Sequence, residues 1–258
     1  YYEKPDGTII KRVFRKRPGT IGICGIIQNK FKIDTVAHIL CNGFTREETE
    51  DALIELNFLG VHNVMALRGD GLNYKKRVDP EKSVNTYASD LLKQINDIKK
   101  GKFIDEFTFG RSLDFGVGVA GYPEKHFEAP NLKVDLQYLK EKVDAGAEYI
   151  TTQMFFNNKA YANFVKECRQ IGIKVPIIPG LKVIKSVGQL TSLPKHFHID
   201  MPDELVDEVM ANPKHVEEIG IRFGVKQCED LLKMGVPGLH FYVMNDASSV
   251  LEVVKKLG

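Results

Sequence analysis

The chain has no run of about 18 apolar residues, so nothing in it reads as a membrane-spanning helix. No secretory signal opens it, and its first residue is Tyr1 rather than Met. Its four cysteines, Cys24, Cys41, Cys168 and Cys228, are far apart and form no CxxC pair. That spacing excludes a redox dithiol or zinc ribbon and suits reduced, buried thiols in a reducing compartment. Charge of one sign is also lacking. Charged residues make up 27% of the chain but cancel to +2, which offers no field for nucleic acid or an anionic membrane. Two catalytic signatures are missing as well. No GxGxxG opens a helix after a strand, which disfavours a Rossmann-type dinucleotide site. No GxSxG elbow is present to carry a serine nucleophile. Internal repeats, low-complexity tracts and linkers are absent, and 258 residues with 43% apolar content suit one large domain, 1–258.

What is present is a rhythm of short apolar runs alternating with segments of helical period. The runs are Ile21–Ile27, Asn63–Arg68, Phe115–Tyr122, Tyr149–Phe156, Val175–Leu181 and Gly238–Met244. Runs of this length without polar alternation suit strands buried on both faces. Between them, Thr45 with Glu48 three residues later forms a capping-box pattern ahead of Arg46–Phe58, and Gly60 stops that helix. Leu132, Leu136, Leu139 and Val143 share a helix face before Gly146; Phe164, Val165 and Cys168 mark another helix before Gly172; Pro213–Met234 is closed by Gly235. Asp246 is placed to cap a last helix carrying Val250, Val253, Val254 and Leu257.

Alternating strands and helices imply a parallel sheet with crossover helices, either an open doubly wound sheet or a closed barrel. Six strands are two short of a (β/α)₈ barrel, so the barrel reading places the first β/α unit and the second strand before residue 1. The basic segment from Tyr1 to Pro18, with a turn at Pro5-Asp6-Gly7, then leads into the third strand.

Barrel enzymes gather their chemistry at the C-terminal ends of the strands. That rule selects Arg68 and Asp70, the stretch from Tyr122 to His126, Gln153, and the run Leu239 to Tyr242, with His38 and Cys41 in the third-strand region. Each has a plain structural alternative. Arg68 with Asp70 also reads as a strand-end ion pair, Gln153 as a core amide with a core partner, and His126 as a solvated loop residue. His38 with Cys41, or His196 and His198 near Asp200, supply too few ligands for zinc, and no metal is expected.

Several blocks occur in one order: Ala66-Leu67-Arg68-Gly69-Asp70, Tyr87-Ala88-Ser89-Asp90-Leu91, Ala120-Gly121-Tyr122-Pro123-Glu124-Lys125-His126 with Glu128-Ala129, Lys140 to Ala147, Thr152-Gln153-Met154-Phe155-Phe156, Pro176 to Gly180, and Leu239-His240-Phe241-Tyr242. This series resembles the flavin-dependent methylenetetrahydrofolate reductases, in a match running from about Arg17 to the C-terminus. The resemblance implies an α/β fold of the TIM-barrel type with FAD over the C-terminal mouth. It implies ping-pong reduction of 5,10-methylenetetrahydrofolate to 5-methyltetrahydrofolate with NADH or NADPH. By the same resemblance, FAD contacts fall on His38, Leu67, Arg68, Gly69, Asp70, Tyr87, Ala88, Ser89, Tyr122, His126, Ala129, Asp135 and Lys142. Asp70 is the expected catalytic carboxylate, stabilising a cationic iminium form of the folate. Gln153, Leu193 and Tyr242 are the expected substrate contacts.

The sequence departs from the family at Asp246, where relatives often carry arginine, and at Glu141, where some do. The family's proton donor, a first-strand glutamate, falls before residue 1. The short, bacterial type of enzyme, a cytoplasmic role in methionine supply and a homo-oligomer are further expectations from the resemblance. Two alternatives stand beside it: another flavin-dependent barrel oxidoreductase, of the proline-dehydrogenase kind, and a catalytically incomplete fragment.

Overall fold

The computed structural model describes residues 18–69, 83–105, 110–243 and 246–258, together with the backbone of two short strands, β1 (Tyr2–Glu3) and β2 (Ile9–Ile10). β1 and β2 pair antiparallel, Tyr2 opposite Ile10, while the predicted turn at Pro5-Asp6-Gly7 lies outside the described residues. The chain divides into two compact units, one of residues 1–119 with 145–147 and the other of residues 120–144 with 148–258.

The first unit opens with helix α1 (Thr20–Ile26), which runs into a π-helical turn, Ile27–Phe31, and stops at Lys32 with φ 55°. This corrects the sequence expectation of a strand over Ile21–Ile27. A continuous apolar run does not separate a strand from a helix by period, and here tertiary contact decides. Gly25 lies so close to Leu59 that a Cβ on it would come within 2.9 Å of the leucine Cδ1. The Asn29 amide then donates to the carbonyls of Gly25 at 3.0 Å and Leu59 at 2.8 Å. The first parallel strand is instead β3 (Val36–Leu40), which buries Ala37 and Ile39. It pairs in register with β4 (Asn63–Leu67), and β4 pairs with the start of β5 (Gly116–Gly121).

Between β3 and β4 runs α2 (Arg46–Phe58), with the capping box formed as predicted. Glu48 N donates to Thr45 Oγ1 at 3.0 Å, and Thr45 N donates to Glu48 Oε2 at 2.9 Å. Helix α3 (Ala88–Ile98) buries Leu91, Leu92, Ile95 and Ile98. At its start the Asp90 carboxylate accepts from Thr86 N and Tyr87 N.

The second unit continues from the end of β5 through α4 (Leu132–Asp144), β6 (Tyr149–Met154), α5 (Asn158–Gln170) and β7 (Ile177–Leu181). It goes on through α6 (Gln189–Phe197), α7 (Asp203–Ala211) and α8 (Val216–Lys233) to β8 (His240–Phe241) and α9 (Ser248–Leu257). Helices α6 and α7 were not expected from the sequence. They close over a core of Met154, Phe156, Ile184, Leu193, Ile199, Leu205, Val209, Val216 and Ile219. Gly220 on α8 touches the backbone of Ile184, and a Cβ there would lie 2.1 Å from its carbonyl oxygen.

The six parallel strands follow one another in chain order, β3-β4-β5-β6-β7-β8. A doubly wound sheet reverses its strand order at a switch point. No reversal occurs here, and the connectivity is that of consecutive β/α units of a (β/α)₈ barrel. Among the described residues, no helix is long and apolar enough to cross a membrane.

Candidate functional site

In the first unit the loops after β3 and β4 are laced together. Cys41 N donates to the Leu67 carbonyl at 3.0 Å and Asn42 N to that of Arg68 at 2.9 Å. The Asn42 side chain reaches the Gly69 carbonyl at 2.9 Å. Gly69 has φ +89°, in the region that favours glycine, and a Cβ there would meet the side chains of Asn42 and Leu40. This turn fixes the backbone leading toward Asp70, which itself lies outside the described residues. His38 sits in the middle of β3, opposite Met65, with its side chain exposed. Tyr87, Ala88 and Ser89 form the N-terminal turn of α3, and the Tyr87 ring is exposed. Their position is set by a buried pair. Asn85 Nδ2 donates to Gln94 Oε1 at 2.6 Å, and Gln94 Nε2 donates to the Arg46 carbonyl at 2.7 Å. Cys41 is an inert thiol, pushed up to about 12 by burial first and by the Asp90 charge second.

In the second unit a tight loop follows β5. Lys125 takes φ +98°, and its Nζ donates to the Ala129 carbonyl at 2.7 Å. This turn brings His126 N to Asp135 Oδ2 at 2.9 Å. The other Asp135 oxygen has no hydrogen-bond partner among the described residues. The His126 ring meets Tyr122 edge-on at 4.6 Å and stacks on Phe127 at 4.8 Å, and Phe127 stacks on His198 at 4.8 Å. Glu128 N donates to His126 Nδ1 at 3.2 Å, so the neutral ring carries its proton on Nε2. Ala129 is buried. Lys142 enters from α4, its stem half-buried and its Nζ donating to the Ala120 carbonyl at 3.1 Å. Burial of the ammonium lowers its pKa to about 8, against an opposing pull from Asp135.

Glu124, within the Tyr122–His126 stretch, was not singled out by sequence. Its carboxylate accepts from Asp200 N at 3.0 Å, and desolvation is the first cause of a pKa raised to about 7. A carboxyl raised in the fold binds its proton more tightly there than in the unfolded chain. Its contribution therefore makes stability fall as pH rises from about 4.5 to about 7. Glu124→Gln is expected to flatten that part of the stability profile, measured by denaturant midpoints across the window. An unchanged slope would mean that the carboxyl does not carry it.

Gln153 lies where the β6–β7 register shifts between Thr151 and Met154. Such irregularities re-aim side chains near sites. Its Oε1 accepts from Met154 N at 2.9 Å, while its NH₂ has no partner among the described residues. Tyr242 is held at both ends: its OH donates to the Thr152 carbonyl at 2.9 Å, and its own carbonyl accepts from Lys182 Nζ at 2.8 Å. Burial pushes its phenol well up. Gly180 makes room for this ring, because a Cβ there would sit 2.2 Å from the Thr152 oxygen and 2.8 Å from Tyr242 Cε2. Gly180→Ala is expected to cost about 3 kcal/mol of stability by overpacking against backbone, read as a fall in denaturant midpoint. A cost near zero would show that β6 yields.

Leu193 is buried in the apolar core with Met154, Phe156 and Leu205, so its observed contacts are packing contacts. Asp246 is not the N-cap of α9 that the sequence suggested: Ala247 takes that position, and Asp246, one residue before it, accepts from Ser248 N at 2.9 Å and pairs with Lys185 at 2.8 Å. Glu141 is exposed and, among the described residues, accepts from Gln137, one turn away. Among the described residues no three His, Cys, Asp or Glu side chains converge as a metal site would require.

The chain as a whole resembles known proteins. A family model described as methylenetetrahydrofolate reductase matches residues 13–258. The chain belongs to the methylenetetrahydrofolate reductase family. It is 32% identical over 251 residues to a probable methylenetetrahydrofolate reductase (NADH) of Oryza sativa subsp. japonica, an alignment covering 93% of this chain and 40% of that protein. It is 27% identical to the 5,10-methylenetetrahydrofolate reductase of Pectobacterium carotovorum subsp. carotovorum, over 94% of this chain and 76% of that one. The chain thus spans about 40% of the length of the rice relative. A solved structure from Clostridium thermocellum, titled as an uncharacterized protein that binds two copies of 5-methyl-5,6,7,8-tetrahydrofolic acid, shares the fold. Its TM-score is 0.56 at 16% identity, covering 89% of this chain and 75% of that one.

Proposed function

We propose that the protein reduces 5,10-methylenetetrahydrofolate to 5-methyltetrahydrofolate with FAD as cofactor and NADH or NADPH as reductant, in two successive half-reactions. Within this family assignment, the observation that carries the reading is the Lys142 cluster. Among the described residues, a buried ammonium with one carbonyl partner stands near a carboxylate that has one oxygen to spare, beside the Tyr122 and His126 rings. A dinucleotide diphosphate and its ribose are what such a set fits. Lys142 offers charge to a phosphate oxygen, Asp135 accepts from a ribose hydroxyl, and the rings give the ligand aromatic edges.

FAD, when bound, supplies a hydride carrier that serves both substrates in turn. In the first unit, the Arg68-Gly69 backbone, Leu67, His38 and the Tyr87-Ala88-Ser89 turn are its proposed contacts, as is Ala129 in the second. Asp70 places a negative charge by the folate, which favours the cationic iminium that accepts hydride. Gln153 presents an NH₂ to the pterin edge, and its Oε1 can leave Met154 N to accept as well. Tyr242 walls the substrate side with a ring that its two hydrogen bonds hold still. The stoichiometry balances: the reduced nicotinamide gives a hydride, a proton is taken up, and the methylene carbon becomes methyl.

The test is the visible spectrum of FAD-loaded protein without oxygen. Bleaching on adding NADH or NADPH, then recovery on adding methylenetetrahydrofolate, is the expected result. Flavin bleached by proline and untouched by either nicotinamide would overturn it in favour of an amino-acid oxidoreductase.

A further inference from the structure

Lys182 is the first residue after β7 and is half-buried there. Its Nζ has one partner among the described residues, the Tyr242 carbonyl at 2.8 Å. The cation three residues on, Lys185, is neutralised: it donates to Asp246 Oδ2 at 2.8 Å, to the Asp246 carbonyl at 3.0 Å and to Ser248 Oγ at 3.5 Å. Asp246 in turn accepts from Ser248 N and Ser248 Oγ at the start of α9. The carboxylate that could have balanced Lys182 is thereby committed to Lys185 and the helix N-terminus.

We infer that Lys182 is an oxyanion-recognition residue, taking a carboxylate or phosphate oxygen of a small-molecule substrate at the C-terminal ends of β7 and β8. A half-buried ammonium with no counter-charge among the described residues is a standing cost to their packing, and an incoming anion removes it. Desolvation, with Lys185 second, lowers its pKa, which agrees with an unbalanced charge. The ends of strands 7 and 8 are also where barrels of this kind commonly bind anionic groups. Two of the three Nζ protons remain to donate, and the Tyr242 carbonyl holds the side chain in place for them. Because Asp246 fills the α9 N-terminus, the anion is met by Lys182 and not by that helix.

The inference deepens the reductase reading, since both proposed substrates are anionic: the folate through its glutamyl carboxylates, the nicotinamide dinucleotide through its phosphates. The experiment is titration calorimetry of FAD-loaded wild type, Lys182→Met and Lys182→Arg with 5-methyltetrahydrofolate. In parallel, the concentration dependence of flavin bleaching by NADH and NADPH is followed, and circular dichroism checks the fold. Lys182→Met is expected to lose about tenfold to hundredfold in affinity for one of the two ligands, the scale of one charge-assisted hydrogen bond, with recovery in Lys182→Arg. Loss confined to folate identifies a carboxylate as the anion, and loss confined to the nicotinamide identifies a phosphate. Equal affinities in all three proteins overturn the inference.

If wild type binds neither ligand, the reductase reading fails first. Inorganic pyrophosphate then decides for Lys182: binding to wild type and loss in Lys182→Met uphold it. Equal or absent binding in both overturns it.

Discussion

Lys142→Met is expected to weaken FAD binding about tenfold to hundredfold and to remove most of its pH dependence above neutrality. The buried ammonium of wild type has a pKa near 8. A diphosphate beside it favours the charged form, so binding holds the proton that the free protein gives up above that pH. FAD affinity should therefore fall as pH rises through about 8, by at most about tenfold per pH unit. The variant has no such proton and should show a flat profile from a lower starting affinity. Stability moves the other way.

In the FAD-free protein, Lys142 is harder to protonate than in the unfolded chain. The unfolded state therefore binds more protons between about 8 and 10.5, and stability rises with pH across that window. Below it the folded protein carries the full cost of a buried charge. FAD-free Lys142→Met should accordingly be more resistant to denaturant than wild type at pH 7. Weaker FAD binding by a more stable protein is a pairing that loss of folding cannot imitate. A variant that is less stable at pH 7, or that keeps the wild-type pH profile for FAD, would sink the assignment.

The parts of this fold legible in the sequence are those decided within a few residues. The Thr45–Glu48 capping box, the stops at Gly60, Gly146, Gly172 and Gly235, and strands β4 to β7 depend on local pattern, and they stand within about two residues of where the pattern put them. Ile21–Ile27 reads as a strand because four isoleucines in a short apolar run look like a buried strand. Its helical form rests on Leu59 and Asn29 contacts that no local window contains. Helix α6 carries Pro194 inside it and follows Gly188, which hides its period.

The same division holds for the site. Strand-end position alone selected Tyr122, Gln153 and Tyr242. What Tyr242 does there depends on a partner 90 residues away, the Thr152 carbonyl, and Gln153 sits at a register shift of β6 against β7 with its amide oxygen accepting from the neighbouring Met154 N. Glu124 and Lys182 were missed because their partners lie 76 and 60 residues away. Lys182 did leave one signal, a lysine directly after the apolar run Ile177–Leu181.

Asp70→Asn should separate the two half-reactions. It keeps the shape and most of the hydrogen-bonding capacity of the side chain and removes only its charge. Asp70 lies outside the described residues, so the expectation rests on the turn that precedes it, where Gly69 and the Asn42 bonds fix the backbone, and on the chemistry required. A unit charge about 4 Å from a developing cation, at an effective dielectric near 20, contributes roughly 4 kcal/mol. Loss of most of that slows the folate-dependent step about 10²- to 10³-fold. Bleaching by the reduced nicotinamide involves no iminium and should change by only a few fold. The same substitution should make the flavin easier to reduce, because a negative charge that opposes an anionic reduced form is gone. Rapid mixing reads the two rates separately, and a redox titration reads the potential. Equal slowing of both half-reactions would assign Asp70 to holding FAD in place. An unchanged folate step would move the iminium-stabilising role to another residue.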